Sequence, residues 1–64
     1  MKWSEVKRRL TKYGCYKLKG GKKHEKWYSP ITNQTTRISR HNSEEAALGT
    51  VTAVFEAMGV PMHD

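Results

Sequence analysis

Lys19-Gly20-Gly21-Lys22-Lys23-His24-Glu25-Lys26-Trp27-Tyr28 is the stretch of this 64-residue chain whose residue types and spacing could do chemistry. Two adjacent glycines suit a tight turn and the positive φ that other residues resist. Two lysines follow, then a histidine that opens a run ending in aromatics. An imidazole titrates near neutrality, so among ammonium groups it is a device for handling phosphate. RNA cleavage needs a base for the 2′-hydroxyl proton or an acid for the leaving oxygen, and an imidazole can be either. The ammonium groups would stabilise charge on a phosphorane-like transition state. The competing reading is a histidine on a phosphate-binding surface that performs no chemistry, and spacing alone favours it.

The other reactive side chains carry less. Arg40-His41 follows a third strand, where His41 either reaches the edge of the same site as half of an acid/base pair or caps the next helix. A loop or capping role is the favoured one. Cys15 stands beside a helix end and reads as a small apolar packing group. A lone cysteine excludes an intramolecular disulfide framework, and His24, His41 and His63 are too far apart for a zinc pattern. No metal and no cofactor is expected.

Charge points to the partner. The net charge is +6, but residues 1–26 hold ten Lys/Arg against Glu5 and Glu25, a balance of +8, while residues 27–64 balance at −2. Such asymmetry favours a polyanion, with RNA or DNA the default. No apolar run approaches the roughly 20 residues of a membrane span, and no signal-peptide core opens the chain. A cytoplasmic protein that does not engage membranes is expected. A domain this short rarely gains more than about 3–5 kcal/mol from its core, which leaves room for one sheet, two helices and a shallow site.

Five elements must position these residues. Trp3, Val6, Leu10 and Tyr13 recur at helical spacing over 4–13, with Ser4 as N-cap, Lys7, Arg8 and Lys12 largely opposite, and Gly14 as the stop. Strands are expected over 15–19, 24–29 and 35–39, joined by Gly20-Gly21 and by a turn over 30–34. Asn42 or Ser43 caps a last helical region, with Glu44-Glu45 at its positive end; Leu48, Val51, Phe55 and Met58 form its apolar stripe. Gly49 divides this region, the main helix running from about Thr50 to Gly59. Residues 60–64 read as a frayed tail in which His63 has no role. If Tyr16, Leu18, Trp27 and Ile38 form the buried sheet face, period two puts His24 on the opposite face among Lys17, Lys19, Lys26 and Arg37. A bulge after the glycines would reverse that placement. The expected architecture is α+β: a two-layer αβββα sandwich with a three-stranded antiparallel sheet, both helices on one face and the basic face open.

The chain also resembles a known family along almost its whole length. Ser4-Glu5 and Tyr13-Gly14 bracket the first helix, followed by Gly20-Gly21-Lys22-Lys23-His24-Glu25. Arg40-His41, Glu44-Glu45, Gly49-Thr50 and Ala57-Met58-Gly59-Val60 come next in order. In that order and spacing they resemble HicA, the small mRNA-cleaving toxin of HicA–HicB toxin–antitoxin pairs. The resemblance implies a fold like the double-stranded-RNA-binding domain across residues 1–64. It implies a metal-independent endoribonuclease acting on mRNA, with His24 as the catalytic histidine and Gly20 and Gly21 as its turn. It also implies a HicB-like antitoxin that covers the site. Lys17, Lys19, Lys22, Lys23, Lys26, Arg37, Arg40 and His41 are the candidates to bind RNA or support the transition state. The commoner family arrangement is Gly-Ser-His, whereas here Lys22 and Lys23 separate Gly21 from His24. A non-catalytic RNA-binding module of the same fold is the alternative, weakened if Ser43-Glu44-Glu45 begins the final helix, where RNA-binding domains carry lysines.

Overall fold

Helical apolar spacing at the two ends of the chain and strand alternation between them produce the order read from the sequence. The computed structural model describes residues 1–62 and contains α1 (Trp3–Lys12), β1 (Tyr16–Gly20), β2 (His24–Ser29), β3 (Gln34–Ser39) and α2 (Leu48–Met58). His63 and Asp64 lie outside the described residues. The strands form one antiparallel sheet in the order β1-β2-β3. Trp3, Val6 and Leu10 of α1 and Val51, Val54, Phe55 and Met58 of α2 join Trp27 and Ile38 of the sheet in one buried cluster. Both helices therefore cover the same sheet face and leave the other open, the α+β sandwich expected. Fully burying groups the size of Leu10, Ile38 and Phe55 contributes about 1.5–3 kcal/mol each.

The sheet registers correct the expected inner face at β1. Between β2 and β3, Glu25 faces Ile38, Lys26 faces Arg37 and Trp27 faces Thr36, without interruption. Between β1 and β2, Tyr16 faces Tyr28 and Lys17 faces Trp27, but Lys19 rather than Leu18 faces Lys26. Facing residues share a side of the sheet, so Tyr16 lies on the open face and Lys17 on the helix-covered side. The bulge falls inside β1 and not after the glycines. Tyr16 and Leu18 are accordingly about half exposed, at 51% and 50%, instead of forming core. The extra residue then returns Lys19 to the open face.

The helix ends also differ from expectation. Lys2, not Ser4, precedes α1, and its N–H donates to Glu5 Oε1 at 3.1 Å. The N–H groups of Trp3 and Ser4 donate to the carbonyls of Glu44 and Asn42, so the loop before α2 satisfies donors at the start of α1. The segment 42–45 thus lies against the start of α1 and does not open α2. That helix begins at Leu48 after Ala47 and has no acidic residue in its first turn. Gly49 lies within it, and Leu48 is exposed, with Val54 taking the expected place in the apolar stripe. At the far end Gly59 caps α2 with φ +68°. Ser29 Oγ donates to the Met58 carbonyl at 2.6 Å and Thr32 Oγ1 to that of Ala57 at 2.7 Å, so the end of β2 and the turn after it satisfy carbonyls at the end of α2. The expected frayed tail is not frayed at its start: Val60 is buried, its N–H bonded to the Phe55 carbonyl, and Met62 packs against the core. Cys15 is buried, as a packing group should be.

Candidate active site

His24 is the first residue of β2, exposed, and paired with Ser39 of β3. It lines a shallow depression on the open face with Lys19, Gly20, Gly21, Glu25, Lys26 and Arg37. Three of these cations form a row across the sheet: Lys19 of β1 faces Lys26 of β2, which faces Arg37 of β3. Like charges directly opposite one another destabilise a sheet. A row of three becomes favourable when an anion lies across it.

The turn preceding His24 is held by contact rather than by a left-handed backbone. Neither Gly20 nor Gly21 takes a positive φ, which corrects the expectation for the pair. Gly21 is required for another reason: a Cβ there would stand 2.6 Å from the His24 carbonyl oxygen, whereas one at Gly20 would meet nothing within 4 Å. Arg40 closes the other side. Its guanidinium donates to the Lys22 carbonyl at 2.5 Å, and its N–H to that of Lys23 at 3.4 Å. Arg40 thus clasps the hairpin turn to the end of β3.

Glu25 lines the depression but is tied to the helix side of the sheet. Trp27 Nε1 donates to its Oε1 at 3.0 Å, and Lys7 Nζ lies 3.0 Å from the same oxygen. Burial raises this carboxyl, but the bonds from Trp27 and Lys7 and the charges of Lys7 and Lys17 outweigh it and hold it below its ordinary value. Lys7 also donates to Asn42 Oδ1 at 2.5 Å. It is therefore a half-buried strut and not a solvated residue of the outer helix face. The Glu25 carboxylate thereby has compensating charge beside it, which lowers its repulsion of an anion in the depression.

The remaining candidates divide. Lys22 and Lys23 are exposed at the turn. Lys17 faces Trp27, away from His24. His41 is exposed in the following loop; its N–H donates to Ser39 Oγ at 3.1 Å and its Nδ1 lies 3.8 Å from the Glu44 carboxylate. It sits in a loop, does not line the depression and does not cap α2. Glu25 and Lys7 were not singled out from the sequence, although Glu25 sits between His24 and Lys26 and alternation sends it inward. Among the described residues no group of three His, Cys, Asp or Glu side chains could hold a metal ion, and no helix is long and apolar enough to cross a membrane.

A family profile described as the HicA toxin of bacterial toxin–antitoxin systems matches residues 3–60. The chain belongs to the HicA toxin family. The match spans all five elements and the whole His24 depression, so the toxin role of the family applies to this fold. No curated protein and no solved structure gives a significant match to the chain.

Proposed function

We propose that this HicA-family toxin is an endoribonuclease acting on mRNA, with His24 as its general acid or base and a HicB-like antitoxin as its neutralising partner. The observation that carries the reading is the placement of His24 beside the Lys19–Lys26–Arg37 row on an open sheet face. A phosphodiester lying on that row brings its reacting oxygens to the imidazole. Attack of the 2′-oxygen on phosphorus breaks the bond to the 5′-oxygen. Neutral His24 accepts the 2′-hydroxyl proton, or protonated His24 supplies one to the departing 5′-oxygen. The cations compensate the charge gathering on the non-bridging oxygens. An antitoxin surface rich in carboxylates suits the same face, since complementary charge both steers and orients association.

The alternative, an RNA-binding module without chemistry, has little support from α2. That helix starts with Leu48-Gly49-Thr50 and carries no lysine cluster there. The deciding experiment uses the purified full chain, a messenger RNA and a chelator of divalent metals. Wild type is expected to cleave. Folded His24→Ala is expected to bind RNA but cleave about 10²–10⁴-fold more slowly, the usual range for losing a general acid or base. Undiminished cleavage by His24→Ala overturns the assignment.

A further inference from the structure

The bulge in β1 leaves two aromatic rings together on the open face. Tyr16 and Tyr28 face each other across β1 and β2, with ring centroids 5.4 Å apart and planes tilted by 56°. Tyr28 Oη donates to Asn33 Oδ1 at 2.6 Å, which fixes that ring, and Tyr16 is 51% exposed. Neither ring belongs to the buried cluster. Along β2 the same side of the sheet presents His24, then Lys26 between its two cationic neighbours, then Tyr28 beside Tyr16. Each step is two residues, roughly 7 Å, comparable with the backbone repeat of an extended polynucleotide.

We propose that Tyr16 and Tyr28 form a stacking platform for one unpaired base of the RNA, next to the nucleotide whose phosphate lies on the Lys19–Lys26–Arg37 row. This inference rests on the reading of the open face as an RNA-cleaving surface. A base has an apolar π-face that stacks on aromatic rings and is reachable only when the strand is single. The neighbouring cation row supplies the charge complementarity that a nucleotide needs and an uncharged apolar partner does not. The platform makes the enzyme select single-stranded over duplex RNA and sets the register of the chain relative to His24. It does so without touching the reacting atoms.

The test measures binding of the full chain to short 2′-O-methyl RNA, which cannot be cleaved at the 2′-position. The probes are single strands with one base removed at each position in turn, and the matching duplex. For wild type, one abasic position is expected to weaken binding about 5- to 150-fold, the range that stacking on an aromatic side chain supplies, and the duplex is expected to bind more weakly than the intact strand. Tyr16→Leu and Tyr28→Leu are expected to lose that sensitivity, while Tyr16→Phe and Tyr28→Phe keep it, because a stacking ring needs no hydroxyl. Tyr16 is exposed and Tyr28 half-buried, and folding of the variants is checked by circular dichroism. Base-insensitive binding by wild type, equal affinity for the duplex, or retained discrimination in the Leu variants overturns the platform. If RNA cleavage persists in that case, the ribonuclease reading stands alone. Absence of any RNA binding or cleavage overturns both. Loss of antitoxin binding in the Leu variants with unchanged base discrimination assigns the rings to the protein partner and also overturns the proposal.

Discussion

Lys7 Nζ and Glu25 Oε1 stand 3.0 Å apart, joining α1 to the strand that begins with His24. Both side chains are mostly shielded, at 12% and 15% exposure, and Lys7 reaches on to Asn42 in the loop before α2. One ammonium group thus fastens helix, sheet and loop behind the site.

Replacing Lys7 by Met keeps the aliphatic packing and leaves Glu25 with the Trp27 hydrogen bond alone. The expected loss is about 2 kcal/mol, the scale of a hydrogen bond to a charged group. For a domain this small, each kcal/mol lowers the melting temperature by roughly 4–8 °C. Thermal unfolding of the two proteins side by side gives the answer, and an unchanged midpoint would show that the strut contributes nothing.

The same contact makes stability depend on acid. Because Glu25 titrates lower in the folded chain than unfolded, its contribution is complete above the ordinary carboxylate range and is lost as pH falls through the folded value. Wild type is expected to lose stability below about pH 4.5, the unshifted value, more steeply than Glu25→Gln. Urea midpoints measured from neutral pH downward should converge for the two proteins; parallel curves would remove Glu25 from the acid response.

Gly20 and Gly21 should separate sharply. Gly21→Ala drives a methyl group into the His24 carbonyl and must displace the backbone that positions the imidazole. Cleavage is expected to fall on the order of 10²-fold, as for other small misplacements of a reacting group. Gly20→Ala enters open space and should leave the rate near wild type. Equal rates in the two variants would mean that the turn does not set the site.

Removing one member of the cation row should weaken RNA binding for all sequences alike. For Lys26→Ala or Arg37→Ala the slope of log affinity against log salt is expected to shrink by about one. Lys17→Ala, on the other side of the sheet, is expected to leave that slope unchanged. A salt titration of the three variants distinguishes the row from diffuse positive charge.

Gly59→Ala tests the junction of α2 with the β2–β3 turn. The left-handed φ of +68° costs an L-residue roughly 1–2 kcal/mol, and the added Cβ would meet Thr32 Cγ2 at 2.8 Å and Ile31 Cγ2 at 2.9 Å. A lower urea midpoint with unaltered strand content is expected.

What could be read in advance follows from where the controlling interactions lie. Trp27 and Ile38 alternate with polar neighbours, and their inward direction placed His24, Lys26 and Arg37 outward, as observed. Alternation assigns the apolar Tyr16 and Leu18 inward, and nothing local to Tyr16-Lys17-Leu18-Lys19 signals a bulge. The register shows it, passing from Lys17 opposite Trp27 to Lys19 opposite Lys26. The start of α2 was hidden for a similar reason. Ser43-Glu44-Glu45 has the composition of a helix start, yet the carbonyls of Asn42 and Glu44 are taken by α1 from more than 35 residues away. Gly14 and Gly59 were legible because a left-handed cap is a local demand that glycine meets, and both have positive φ.

The bulge also grades the sheet by durability. β2 and β3 pair without interruption and each sends a large side chain into the core, whereas β1 is exposed at all five positions and its ladder is broken at Leu18. Local opening begins where buried contacts are few, so β1 is the strand expected to open first. Lys19 and Tyr16 belong to that strand, while His24, Lys26 and Arg37 belong to the secured pair. A polyanion laid across all three strands would therefore hold β1 to the secured pair.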